Sequence, residues 1–193
     1  MIDIRPATDR VDGLLDFSDD ELDGQTPCTD YTVRDLLHHL LGLTIAFRDA
    51  AGKVEGPTTS TPPGRVVDPL PVDWRARLRT QLRDLSEAWG QPRAWEGMTM
   101  AGGVRFPAEA AGLVALNEVQ LHGWDLARAT GHDYRPDDEL AAAVLPIVTP
   151  TGDPDADAGR EGMFGPPLDA RPGAPLFDRV VALAGRDVDW ARA

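Results

Sequence analysis

The sequence predicts an all-α fold in which amphipathic helices pack around one core. Apolar side chains recur every three or four residues in several segments, the periodicity of helices with one buried face. Alternation of apolar and polar residues, typical of a strand, is confined to a short stretch around residues 98–106. A chain of 193 residues suffices for one sizeable core. We find no internal repeat or linker, so we expect a single domain over residues 1–193.

Two helices are predicted in the first quarter of the chain. Residues 8–22 carry apolar side chains among acidic ones, namely Val11, Leu14, Leu15 and Phe17. The second helix begins after Asp30 or Thr32, either of which can cap it, and continues to about residue 51. Its apolar face consists of Val33, Leu36, Leu37, Leu40, Leu43, Thr44 and Phe47.

The middle of the chain predicts a long connection, a helix and a hairpin. Residues 52–71 are rich in Gly, Pro, Thr and Ser, which favours irregular structure. Residues 72–89 carry Trp and Leu at helical spacing, which predicts a third helix. The alternation over residues 98–106 surrounds Gly102 and Gly103 and predicts a short β-hairpin.

A long fourth helix is predicted over residues 107–130, opened by Pro107 and ended by Gly131. Residues 137–148 predict a fifth helix, and residues 176–184 predict a last short one. Residues 149–175, rich in Gly, Pro and Asp, are expected to be irregular.

One stripe of the fourth helix combines small residues with ionisable ones. Its spacing of 4-3-4-3-4 is that of a buried seam between packed helices. The stripe consists of Ala111, Ala115, Glu118, His122, Asp125 and Ala129. Polar groups inside a bundle need a partner, and a metal ion would be one. A solvated Glu–His pair on a helix surface is the alternative, because a Glu and a His four residues apart are by themselves only a modest signal.

The second helix carries two adjacent histidines beside its apolar face. On a helical wheel His39 lies nearer the border of that face, and His38 lies nearer solvent. A hydrogen-bonded histidine at such a border is common, so this helix alone leaves both a structural role and a ligand role open for His39.

Composition argues against several classes of function. The formal charge of −13 disfavours binding to nucleic acid phosphates. No apolar run reaches the ~20 residues of a membrane span, and no basic-then-apolar signal opens the chain, so we expect a cytoplasmic location. A lone cysteine such as Cys28 is more often a packed small residue than a nucleophile. Motifs for nucleotide binding and serine hydrolysis are absent.

Three stretches resemble the DinB-like helical bundle superfamily. Within it they are most similar to the actinobacterial set related to the N-terminal metal-binding domain of mycothiol-dependent maleylpyruvate isomerase. The stretches are residues 26–40, which include the Tyr-Thr-Val-Arg-Asp-Leu string, residues 118–131, with the His-Gly-Trp-Asp-Leu-Ala string, and the Gly-Arg-Asp tail at residues 185–190. The second string is the most specific.

This resemblance implies an antiparallel four-helix bundle that holds a divalent metal, zinc or another ion such as nickel. It implies the ligands His39, Glu118 and His122. Two imidazoles and one carboxylate suit Zn²⁺ and leave a fourth position open. Asp125, one turn beyond His122, is a candidate to orient a ligand by hydrogen bonding, or it pairs with another neighbour.

The resemblance also implies a reaction class. The leading hypothesis is a transferase or isomerase-like metalloenzyme in which a low-molecular-weight thiol, mycothiol, binds the ion and attacks an electrophile. The isomerase carries a further C-terminal domain that this chain looks too short to hold, so the resemblance does not imply the isomerase's own reaction. A zinc-dependent hydrolase and a non-enzymatic metal-binding or regulatory module are the alternatives. The partners expected are a small thiol or electrophilic substrate, and a homodimer is left open.

Overall fold

The computed structural model describes residues 1–62, 69–153, 157, 160 and 163–192. Across these residues the protein is mostly helical, with seven α-helices and one two-stranded antiparallel sheet. The helices are α1 (Arg5–Gly13), α2 (Val33–Ala51), α3 (Pro57–Ser60), α4 (Trp74–Trp89), α5 (Ala108–Ala129), α6 (Asp138–Val148) and α7 (Leu176–Leu183). In the part of the chain that is described, no helix is both long enough and apolar enough to cross a membrane.

Helix α2 is central to the packing. It lies against both α4 and α5, while α1 contacts the same two helices. Leucines from α2, α4 and α5, together with Trp89, form the most deeply buried part of the core. They include Leu36, Leu40, Leu78, Leu82, Leu85 and Leu116. Helix α6 packs on α5, and α7 packs on α6. The faces that α2 and α5 turn toward each other therefore lie inside the protein.

The start of α2 is fixed by a capping box. The Thr32 side chain accepts a hydrogen bond from the backbone N–H of Asp35 at 3.3 Å. The Asp35 carboxylate accepts one in return from the backbone N–H of Thr32 at 3.1 Å. Two otherwise unpaired N–H groups are thereby satisfied. Of the two caps predicted from the sequence, Thr32 is the one used.

The hairpin and α5 follow one another directly. Strand β1 (Met98–Ala101) pairs antiparallel with β2 (Val104–Pro107). The turn residues Gly102 and Gly103 both have positive φ, which confirms the predicted glycine turn. Pro107 ends β2, so α5 begins one residue later than the sequence predicted. Gly131, with φ of 73°, follows the end of α5 as expected.

The first predicted helix is shorter than its periodicity indicated. Helix α1 ends at Gly13, and Asp19–Glu21 form a separate 3₁₀ turn. The guanidinium of Arg75 donates to the carbonyl oxygens of Leu15 and Phe17, from α4. These carbonyl oxygens therefore accept hydrogen bonds from a side chain of α4. In a continued α1, which the local pattern favoured, they would have accepted them from backbone N–H groups of the same helix.

The two irregular connections differ in outcome. The stretch predicted at residues 52–71 contains one helical turn, α3, in which Thr59 accepts from the backbone N–H of Gly56 at 3.1 Å. Residues 63–68 of that stretch lie outside the described residues. Within residues 149–175, residues 154–156, 158, 159, 161 and 162 also lie outside them.

Candidate metal centre

Three ionisable side chains converge between α2 and α5. The Nε2 atom of His39, on α2, lies 3.2 Å from Oε2 of Glu118, on α5. The Nε2 atom of His122 lies 3.3 Å from the same oxygen. The candidate donor atoms of all three residues lie within 4.8 Å of one another. The structure thus brings together the three residues that the sequence named as ligands, while metal binding itself stays a prediction.

The cluster is largely withdrawn from solvent. The exposed fractions of the side chains are 13% for His39, 18% for Glu118 and 8% for His122. The two imidazole rings meet edge to face, with centroids 4.7 Å apart. A solvated Glu–His pair on a helix surface would be far more exposed, so the structure disfavours that alternative.

Two of the three donor-atom separations suit a zinc ion. With bonds of 2.0–2.2 Å, neighbouring ligand atoms of a tetrahedral zinc site lie about 3.3 Å apart. The two separations from Glu118 Oε2, 3.2 Å and 3.3 Å, match that edge. Hydrogen bonds have similar lengths, so the spacing fits either a shared proton or an ion. Two imidazoles and a carboxylate are also a donor set that zinc and nickel accept.

The imidazole of His122 is held from its other side. Its Nδ1 atom donates to Oδ2 of Asp125 at 3.0 Å, and Asp125 is fully buried. Because Nδ1 carries the donated proton, Nε2 is left with its lone pair toward Glu118 when the ring is neutral. Asp125 therefore has the contact expected of a residue that orients a ligand.

Arg186 continues this network, and its role was not predicted from the sequence. Its Nη2 atom lies 3.2 Å from Oδ2 of Asp125, and its Nε donates to Oδ1 at 3.5 Å. Only 6% of the residue is exposed. The Gly-Arg-Asp string was noted as part of a resemblance, but nothing in the local pattern indicated which carboxylate the arginine would meet.

The surroundings favour negative charge on both carboxylates. Burial acts to raise the pKa of Glu118, but hydrogen bonds from His122 and His39 outweigh it and hold that pKa well below its usual range. Burial likewise opposes ionisation of Asp125, whereas Arg186 and His122 lower its pKa overall. Two carboxylates and one guanidinium leave one negative charge to neutralise, which a proton on His122 or a cation can do.

Burial and hydrogen bonding also oppose each other in setting the pKa of His122, but each acts in the opposite direction from its effect on the carboxylates. Burial acts to lower the pKa of its imidazole, but the hydrogen bonds to Asp125 and Glu118 outweigh burial and raise it. A ring between two carboxylates attracts a positive charge, whether a proton or a metal ion. The cluster is therefore electrostatically prepared for a cation.

Tyr31 borders the cluster, and Cys28 accepts a backbone hydrogen bond from Tyr31. The Tyr31 ring centroid lies 5.3 Å from that of His39 and 6.2 Å from that of His122. Burial raises the pKa of the Cys28 thiol to about 11, and the charge of Asp125 adds to this while Arg186 opposes it. At neutral pH Cys28 is therefore a thiol rather than a reactive thiolate.

The other two histidines, His38 and His132, are not part of the cluster. His38 lines a separate groove of about 290 Å³ between α2 and α4, together with Leu41, Ile45 and Gln81. His132 is exposed beyond the end of α5. Trp124, two residues beyond His122, is buried in the core. The preference for His39 over His38 agrees with this geometry.

Fold and site together define a mostly helical protein with a largely buried His–Glu–His cluster between two helices. Residues 4–127 match the family of mycothiol maleylpyruvate isomerase N-terminal domains. The chain belongs to this family, which confirms the resemblance seen in the sequence.

Two relatives and two solved structures are also similar to this chain. Two uncharacterized proteins of Mycobacterium tuberculosis, from strains CDC 1551 / Oshkosh and ATCC 25618 / H37Rv, are each 30% identical over 184 residues. Each match spans 91% of this chain and 90% of the relative. Two crystal structures of the mycothiol-dependent maleylpyruvate isomerase share the fold at 18% identity. Their TM-scores are 0.57, for a histidine-to-alanine mutant, and 0.52. These matches cover 75% of this chain but only 64% of the isomerase chains.

Proposed function

We propose that this protein binds one divalent metal ion, zinc, through His39, Glu118 and His122, and that the ion serves a thiol-dependent reaction. The observation that carries the proposal is the convergence of three donor side chains from two helices on one largely buried point. We further infer that α1, α2, α4 and α5 form a DinB-like antiparallel four-helix bundle and that residues 1–193 are one domain. The mutual contacts of these four helices support the bundle.

The chain's own residues would hold the ion in a defined way. His39 and His122 would each offer Nε2, and Glu118 would offer Oε2. Asp125 would keep the ring of His122 in position. A divalent ion with three protein ligands retains an open position and lowers the pKa of a thiol or water that reaches it.

The thiol would come from outside the chain. Cys28 is the only cysteine in the sequence, and its pKa of about 11 makes it a poor nucleophile at neutral pH. The family is named for a mycothiol-dependent isomerase. We therefore propose mycothiol, or a similar small thiol, as the partner, with an electrophilic small molecule as the second substrate of a transferase or isomerase-like reaction.

The metal part of the proposal is tested by elemental analysis of purified protein. We expect about one zinc ion per chain, as one three-ligand site implies, and almost none in His122→Ala. His132→Ala, which removes an exposed histidine outside the cluster, is the matched control and should keep the ion. Full metal content in His122→Ala would contradict the proposed ligand set.

The thiol part is tested with the same protein loaded with Co²⁺. Added mycothiol should produce a new sulfur-to-cobalt absorption band, because the thiol reaches the open position as a ligand. An oxygen analogue that lacks the sulfur is the control. A spectrum that mycothiol leaves unchanged would contradict thiol chemistry. Ester hydrolysis by that protein would then favour the hydrolase, and no turnover would favour a binding module.

A further inference from the structure

The hydrogen-bond network behind His122 ends at an arginine from a distant part of the chain. We propose that Arg186 is a positioning residue of the metal centre, whose guanidinium clamps Asp125 so that His122 presents Nε2 toward Glu118. The proposal rests on the proposed metal binding and adds a residue that lies beyond the family match at residues 4–127.

The contacts of Asp125 show how such a clamp works. Arg186 contacts both oxygens, Oδ2 at 3.2 Å and Oδ1 at 3.5 Å. Two contacts from a planar guanidinium fix the plane of a carboxylate, which one contact cannot do. The same Oδ2 accepts a hydrogen bond from Nδ1 of His122 at 3.0 Å. The orientation of the carboxylate therefore determines the tautomer and the rotation of the imidazole.

Arg186 is itself held in place. Its Nη1 atom donates to the carbonyl oxygen of Ala184 at 2.9 Å, and its side chain is buried. A buried ion pair is a weak source of stability, because desolvation offsets most of the attraction. A positional role gives a reason for placing two charged groups here, where apolar side chains would pack as well.

The structure also offers a control for the simplest alternative, that Arg186 only ties down the C-terminal segment. Arg128, near the end of α5, donates through Nε to the carbonyl oxygen of Trp190 at 3.1 Å. Both arginines thus join α5 to residues 184–190, but only Arg186 contacts Asp125 among the bonds described. A variant at residue 128 loosens the segment and leaves the clamp intact.

The test is the zinc affinity of four proteins, measured by competition with a chromophoric chelator. Loss of an outer hydrogen-bond partner typically weakens metal binding roughly 10–100-fold, and we expect that loss in Arg186→Met. Arg186→Lys, which keeps one contact and the charge, should recover part of it, and Arg128→Met should bind like wild type. Equal affinities in wild type and Arg186→Met would overturn the clamp, as would an equal loss in Arg128→Met.

A second readout follows the ring of His122 directly. In ¹H–¹⁵N spectra of the zinc-loaded protein, the Nδ1–H signal should be sharp in wild type and Arg128→Met. It should broaden or vanish in Arg186→Met. An unchanged signal there would contradict the clamp.

Should Arg186→Met fail to fold, Asp125→Asn combined with Arg186→Met removes both buried charges. The double variant should still bind zinc more weakly than wild type, and wild-type affinity would overturn the proposal. A wild-type protein that binds no zinc would instead refute the proposed function.

Discussion

Gly112 lies on α5 beside the indole rings of Trp89 and Trp95, whose centroids are 5.1 Å apart. A Cβ atom at residue 112 would lie 2.6 Å from Trp95 and 2.8 Å from Trp89. No real Cβ approaches another atom so closely, so the absence of a side chain is what lets α5 meet these rings. Gly123 has the same function about three turns further along the same helix, where a Cβ would lie 2.8 Å from Tyr134.

We predict that Gly112→Ala destabilises the protein by about 1–3 kcal/mol, the usual cost of overpacking a core. The matched control is Gly42→Ala, on an exposed face of α2, where an added Cβ meets no atom within 4 Å. That change should stabilise by about 0.5–1 kcal/mol, because alanine favours a helix interior over glycine. Urea unfolding measures both. Equal free energies of unfolding for the two variants would contradict the packing described for Gly112.

Single residues also show what sequence reasoning can reach. Helix geometry alone places Glu118 and His122 on one face and Asp125 one turn further, so their juxtaposition is predictable. His39 needed the resemblance, because periodicity separated it from His38 only mildly. Arg186 was missed, since its contact with Asp125 spans 61 residues of chain and follows no repeat.

At the level of elements, the beginning of α2 matters for the site because His39 lies in its second turn. The capping box of Thr32 and Asp35 fixes where that helix starts, and Tyr31 precedes it directly. The ring of Tyr31 faces the imidazole of His39 at 5.3 Å. By fixing where α2 begins, the cap therefore helps to fix the positions of the Tyr31 and His39 side chains relative to α5.

We predict that Thr32→Ala lowers the free energy of unfolding by about 1 kcal/mol, the typical value of a lost N-cap. Thr29→Ala, at an exposed position of the preceding turn, is the control and should change stability little. Thermal or urea unfolding distinguishes the two. A Thr32→Ala protein as stable as the control would mean that the cap contributes nothing.

Elements were predictable where one apolar face dominated. Helices α2, α4 and α5 agree with their sequence patterns to within about two residues, the usual uncertainty of helix ends. The pattern over residues 8–22 was misleading, because apolar residues there remain buried after the helix has ended. The local pattern does not show that Arg75, on α4, donates hydrogen bonds to the carbonyl oxygens of Leu15 and Phe17, where the helix has already ended.

For the whole molecule, an ion between α2 and α5 would bind the folded state only. Its binding free energy then adds to stability, by about 2.7 kcal/mol at a free concentration one hundred times Kd. We predict that zinc raises the unfolding temperature of the metal-free protein in one cooperative transition, as a single domain implies. Calorimetry in a chelating buffer and then in excess zinc measures the shift.

His122→Ala should show no such shift, because it lacks a ligand. Mg²⁺, which prefers oxygen ligands in octahedral geometry, should also leave the wild-type transition unchanged. An equal zinc shift in wild type and His122→Ala would place the ion elsewhere. Two separate transitions would contradict the single domain.

The salt bridge between Asp125 and Arg186 has a consequence for modularity. Residues 4–127 contain every proposed ligand, yet the guanidinium that faces Asp125 follows α7, some 60 residues later. An excised fragment ending at residue 127 would keep the donor atoms. It would also leave the buried Asp125 carboxylate without the positive charge of Arg186. Anyone grafting this centre onto another scaffold should therefore transplant the C-terminal arginine together with the two helices.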